Sequence, residues 1–294
     1  MIQADKSGYC HFIVFGCSFL VFLLLISCSR EAESRTSNFP KSVEVISEMP
    51  PQSNFWIFVM AGQSNMAGRG FVEPQDTVPD TRVFSLDANN QWILAKEPLH
   101  YYEPDLTGLD CGLSFGKKLA SYLPDSISIG LIPCAVGGTS LEQWAGDSAF
   151  RGVKLKSNLK EKIRIAEIDG TVKAILWHQG ENNASRGGVN GYKSGLYSLF
   201  QDFRTIAGND SLPIIMGELG SFLKKNEFYG YQDTINSILK QVSLGDSYIK
   251  LVSTEDLSHK GDFLHFNSSS LRILGERFAD SYLSLITTSK QKSK

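Results

Sequence analysis

Five short stretches of this chain are almost continuously apolar. They lie at 55–61 (FWIFVMA), 128–134 (SIGLIPC), 172–177 (VKAILW), 212–216 (LPIIM) and, more weakly, 248–252. A strand with one face in water alternates apolar and polar residues. A run that does not alternate needs cover on both faces, which is the mark of a parallel sheet between helical layers. The intervening segments supply that cover. Leu155, Leu159, Ile163 and Ala166 recur at intervals of three and four, as do Tyr192, Leu196, Phe200 and Phe203, and Leu271, Leu274, Phe278 and Tyr282. Such stripes form the buried face of a helix. Residues 113–123 and 231–244 read as further helices. The alternation predicts an α/β fold, a three-layer α/β/α sandwich around a mostly parallel five-stranded sheet. Residues 71–110 fit no single period and read as a long irregular connection with a short hairpin.

Composition narrows the function classes. Of 294 residues 42% are hydrophobic and 20% charged, too apolar for a disordered chain. With 29 basic and 31 acidic side chains the net charge is -2, and no basic run points to nucleic acid as a partner. Five cysteines are too few for a disulfide scaffold.

The N-terminus reads as a targeting segment. Residues 12–27 (FIVFGCSFLVFLLLIS) carry no charge but are short for a membrane span, which needs about 20 apolar residues. They suit the apolar region of a signal peptide. The run ends in L-I-S-C, a lipobox pattern that would lipidate Cys28. The expectation is an exported bacterial lipoprotein, periplasmic or at the cell surface, anchored to the membrane by that lipid. An ordinary signal peptide or an uncleaved anchor is the alternative. On this reading 1–28 is the signal, 29–54 a flexible linker with Pro40, Pro50 and Pro51, 55–288 the domain and 289–294 a polar tail. Val43, Val45 and Ile46 could add a short edge strand. Of the cysteines remaining in the mature domain, Cys111 and Cys134 could form a disulfide or stay as two buried thiols.

Open parallel sheets form their sites at the carboxyl ends of the strands. Four polar segments, three of them glycine-bearing, fall there or just before the last helix. They are 62–68 (GQSNMAG), 135–140 (AVGGTS), 178–183 (HQGENN) and 262–267 (DFLHFN). Their residue types suit acyl transfer. A serine hydroxyl needs a base to take its proton; His265 can serve, and Asp262, three residues earlier, can orient the imidazole. The glycine pair lets backbone N–H groups approach an oxyanion, and Gln179 offers a side-chain amide. Each piece alone has a plainer reading as a turn, a cap or a structural histidine. Trp177 reads as core, and Trp144, Tyr101 and Tyr102 as core or a sugar subsite.

Taken together, GQSNMAG, CAVGGTSLEQW, WHQGE and DFLHFNSSSLRILGERFADSYL resemble successive blocks of the SGNH-hydrolase superfamily. More narrowly they resemble its sialate O-acetylesterase domain and the carbohydrate esterase family that includes acetylxylan esterases. The resemblance runs from about residue 55 to 285 and implies a flavodoxin-like fold and a serine esterase that removes O-acetyl groups from sugars such as acetylated xylan or sialic acid. It implies Ser64 as nucleophile with His265 and Asp262. It also implies an oxyanion hole from the N–H groups of Ser64 and Gly138 and the Gln179 amide. Gln63, Asn65 and Glu181 would support these groups, and no cofactor or metal is implied. Asn183 departs from the aspartate common at that position, and no carbohydrate-binding module is evident. Three rival readings can be weighed. An α/β-hydrolase esterase or lipase would carry G-x-S-x-G, which is missing around Ser64. A metal hydrolase would use His259, Asp262 and His265. A non-catalytic carbohydrate-binding lipoprotein would lack a nucleophile, base or acid.

Overall fold

The structure is a computed structural model that describes residues 35–292. The signal segment and Cys28 lie outside the described residues. The domain body begins at Phe39, earlier than the Phe55 expected from sequence. Phe39, Ile46 and Met49 pack on the core, and Val45 bridges to Ile93. The second half of the expected linker is thus part of the domain, because its apolar residues find a sheet edge to cover.

The central strands follow the apolar runs: β1 (Phe55–Gly62), β4 (Ser128–Pro133), β7 (Thr171–His178), β8 (Ile214–Gly217) and β9 (Ile249–Val252). Two more strands, β2 (Val83–Leu86) and β3 (Trp92–Leu94), come from the stretch that showed no period. The sheet therefore has seven strands instead of five, in the order β3-β2-β4-β1-β7-β8-β9. Only β3 runs antiparallel to its neighbour. The expected hairpin is real and extends the sheet.

Helices cover both faces: α1 (Ser64–Ala67), α2 (Gly112–Tyr122), α3 (Leu141–Gly146), α4 (Leu155–Ala166), α5 (Tyr192–Ile206), α6 (Gln232–Gly245) and α7 (Ser268–Lys292). The last helix runs through most of the expected tail. Side-chain alternation on β1 separates the layers. Phe58 meets Phe115 of α2 and Tyr282 of α7 edge-on. On the opposite face Trp177 of β7, level with Ala61, packs against Trp144 of α3 and Phe200 and Phe203 of α5. Trp144 and Trp177 are thus core. Tyr102 is tied to Pro133 O and Asn158, and Tyr101 stacks on it under Lys162. Cys111 and Cys134 are free and buried, and burial pushes the Cys134 thiol up to about 12.

A small hairpin, β5 (Ala149–Phe150) and β6 (Val153–Lys154), stands apart from the sheet. From β1 the chain runs out to β2 and β3 at one edge of the sheet, returns to β4 beside β1, and then passes to β7 on the other side of β1. The crevice at this reversal of strand order opens at the carboxyl end of β1, where Ser64 sits.

Candidate active site

Gly62 closes β1 with φ 138°, a conformation that glycine tolerates and other residues resist. A Cβ there would lie 2.1 Å from His178 O, so the close approach of β1 and β7 also requires glycine. The bond from Gln63 N to His178 O (2.9 Å) holds the chain at this corner, and Ser64 follows at the start of α1.

Asp262 and His265 reach Ser64 from a tight loop before α7. Gly261 (φ 117°) and Phe263 (φ 54°) turn the backbone so that the Asp262 carboxylate folds back on the loop. Its Oδ1 accepts from the amides of Leu264 (3.0 Å) and His265 (2.8 Å), and its Oδ2 lies 2.7 Å from His265 Nδ1. His265 Nε2 lies 3.0 Å from Ser64 Oγ. Partial burial works to raise the Asp262 pKa. The hydrogen bonds from the His265 ring and from the two amides outweigh it and hold the carboxyl well below the usual carboxylate range. Asp262 is therefore an anion that fixes His265 with Nδ1 protonated and Nε2 free to accept the serine proton.

Asn65 sets the distance between these parts. Its Nδ2 donates to Leu264 O (3.2 Å) and its Oδ1 accepts from Phe266 N (3.0 Å), so it grips the backbone on both sides of His265. Glu181 orients Asn65 through a 2.5 Å bond to Nδ2. Glu181 is buried. His178 is likewise buried, with Nε2 on Glu218 O (3.0 Å), and takes the structural reading. His259 Nδ1 accepts from the amides of Gly261 (3.0 Å) and Phe263 (3.2 Å). Among the described residues no group of three or more His, Cys, Asp or Glu side chains is arranged to hold a metal ion.

Gln179 is not placed as expected. It is completely buried, and its Nε2 is committed to Asn183 Oδ1 (2.8 Å), Gln63 Oε1 (3.2 Å) and Thr139 O (3.2 Å). Its Oε1 accepts from Tyr192 Oη (3.0 Å). Gln179 is a strut that ties three of the four polar segments together, with no amide hydrogen left for an oxyanion. Asn182, which the sequence reading passes over, is the exposed amide. Its Nδ2 donates to Gly138 O (3.0 Å), while its backbone N and that of Gly180 point to Gln63 Oε1 (3.3 and 3.4 Å). Asn183 also finds its reason. Its Nδ2 donates to both Glu142 oxygens (2.9 and 3.0 Å), where an aspartate would set two carboxylates against each other.

The Gly137–Gly138 turn lies beside Gly62, joined by Val136 N and Thr139 Oγ1 to Gly62 O (both 3.3 Å). Gly138 adopts φ 77°. Glu103, 34 residues away in sequence, holds this turn by accepting from Gly137 N (2.6 Å), and Arg69 braces Glu103 (2.7 Å). Neither residue carries a sequence signal, since both act only through contacts distant along the chain.

The fold is a mostly parallel α/β sandwich in which Ser64, at the end of the first strand, is hydrogen-bonded to His265 and through it to Asp262. The family model for carbohydrate esterases of the sialic acid-specific acetylesterase type matches residues 54–284, and the chain belongs to that family. It is a carboxylic ester hydrolase, and the chemistry of the family is carbohydrate O-deacetylation. A probable carbohydrate esterase of Arabidopsis thaliana is 32% identical over 263 residues, 82% of this chain and 94% of that protein. An X-ray structure of an Arabidopsis thaliana protein superposes with a TM-score of 0.69 at 30% identity, covering 80% of this chain and 99% of that one. NanS shares the fold at 17% identity, with a TM-score of 0.64 over 82% of this chain and 100% of that one.

Proposed function

We propose that the chain hydrolyses O-acetyl esters of sugars by a serine mechanism with an acetyl-enzyme intermediate. The observation that carries this reading is the hydrogen-bonded relay of Asp262 Oδ2, His265 and Ser64 Oγ, at 2.7 and 3.0 Å. Both distances lie within the reach a general base needs.

In this mechanism His265 takes the Ser64 proton as Oγ attacks the acetyl carbonyl. Asp262 stabilises the imidazolium. The negative oxygen is met by the N–H groups of Ser64 and Gly138. Asn182 takes the part expected of Gln179, because its exposed Nδ2 lies against Gly138 and has a second hydrogen to give. His265 returns the proton to the departing sugar hydroxyl. Water then repeats the cycle and releases acetate.

A double-mutant cycle on acetate release tests the relay. Groups serving one step lose function together, so Ser64→Ala and His265→Ala should each remove most activity and the double variant should be little worse. Losses that multiply, or a Ser64→Ala variant near wild-type turnover, would overturn the reading.

A further inference from the structure

Between β8 and α6 the chain makes two short 3₁₀ turns, Ser221–Lys225 and Glu227–Tyr229. They cross from one side of the site to the other. On the His265 side, the Phe222 ring packs 5.2 Å from those of His259 and Phe266, and Lys225 lies over the ring of Phe263. On the Asn182 side, the second turn packs on the Glu181–Asn183 turn, and Tyr231 N donates to Ala184 O (3.2 Å). Contacts at both ends make this segment a braced wall between the loop that carries the base and the turn that carries Asn182.

Tyr229 ends the second turn. Its ring is partly buried against the core, yet its hydroxyl makes no hydrogen bond among the described residues. Tyr192, by contrast, spends its hydroxyl on Gln179 in the interior. Burial raises the Tyr229 pKa above the usual phenol value, and the charges of Glu181 and Asp262 add to the rise. The hydroxyl therefore keeps its proton and stands in the field of the relay carboxylate. Neither carboxylate claims that proton. Asp262 already accepts from two amides and the His265 ring, and Glu181 from Asn65. A sugar ester sets an aliphatic ring and neighbouring hydroxyls beside the reacting carbonyl. Tyrosine answers both, with an apolar body and a polar tip that donates or accepts. Held on a braced wall, it also loses little freedom on binding.

We propose that Tyr229 is a specificity-determining residue whose hydroxyl bonds to a sugar hydroxyl beside the ester of the substrate. This rests on the serine-esterase reading of the same site and adds a residue that selects sugar esters over simple acetyl esters. A purely structural Tyr229 would use only its ring, which phenylalanine keeps.

The test measures kcat/KM of wild type and Tyr229→Phe on two substrates, with thermal melts to confirm folding. One is p-nitrophenyl acetate. The other is whichever of acetylated xylobiose and O-acetylated sialic acid the wild type hydrolyses faster. Tyr229→Phe should lose about 3- to 10-fold on the sugar ester, the scale of one neutral hydrogen bond. It should match wild type on p-nitrophenyl acetate, which offers no sugar hydroxyl, and melt at the same temperature. Equal loss on both substrates, or no loss on either, would overturn the proposal. So would a wild type that cleaves p-nitrophenyl acetate but neither sugar ester. Ser64→Ala separates this proposal from the reading beneath it. If Ser64→Ala abolishes hydrolysis while Tyr229→Phe changes nothing, only the role of Tyr229 falls, whereas hydrolysis that survives in Ser64→Ala sinks the serine reading.

Discussion

Gln179 and Asn182 lie three residues apart, and burial decides which of them can reach a substrate. The strand-end motif makes Gln179 stand out, but every polar atom of its side chain is satisfied inside the protein. Asn182 is exposed, with Nδ2 on Gly138 O. The two substitutions should therefore fail differently. Asn182→Ala should lower turnover about 10²–10³-fold, the usual cost of one oxyanion donor, with little change in unfolding free energy. Gln179→Ala should instead cost about 3 kcal/mol or more of stability. It removes the side-chain bonds to Gln63 Oε1, Thr139 O, Asn183 Oδ1 and Tyr192 Oη, each worth about 0.5–1.5 kcal/mol, and leaves a cavity in the interior. Urea unfolding beside steady-state kinetics separates the two. A stable Gln179→Ala with collapsed turnover would restore the sequence-based assignment. Ser64, His265 and Asp262 were legible in the sequence because motif order and strand-end placement agree. Asn182, Glu103 and Arg69 were not, because their roles arise from contacts across the fold that no local pattern records.

Among the elements, the five central strands were readable since strands buried on both faces leave an apolar run. Strands β2 and β3 have only four and three residues, too few to show a period; they pair with each other as the expected hairpin, and β2 joins the sheet through β4, far along the chain. The element on which the site depends most is the end of β1. Gly62→Ala should strain the backbone by about 1–3 kcal/mol and also force β1 and β7 apart where the new Cβ meets His178 O. We expect lower stability and lower kcat together, because Ser64 is only two residues on. Gly187→Ala, where an added Cβ meets nothing within 4 Å and φ is not positive, should stay within about 0.5 kcal/mol of wild type. Equal effects of the two changes would refute the packing argument.

At the scale of the whole molecule, residues 39–54 belong to the domain and are not slack. Phe39, Ile46 and Met49 pack on the core, while Glu44 O and Ile46 N bond to Leu94 and Trp92 along the outer edge of β3. Covering that edge protects the open end of the sheet. A chain begun at Phe39 should keep full thermal stability and acetate release. One begun at Asn54 should lose about 2–4 kcal/mol, the value of three partly buried apolar side chains, and should aggregate more readily. Matching melting curves for the two truncations would contradict this boundary. If Cys28 carries the lipid, as we propose from the L-I-S-C ending, residues 29–38 are the stretch left between the anchor and the domain.

In the proposed mechanism an acetyl group passes through Ser64. Rapid quenching of the wild-type enzyme during turnover of an acetylated sugar, followed by peptide mass spectrometry, examines this step itself. An acetyl group should appear on the peptide containing Ser64 within one turnover and be missing from Ser64→Ala. Full turnover with no acetyl on that peptide, or acetate release that persists in Ser64→Ala, would contradict it.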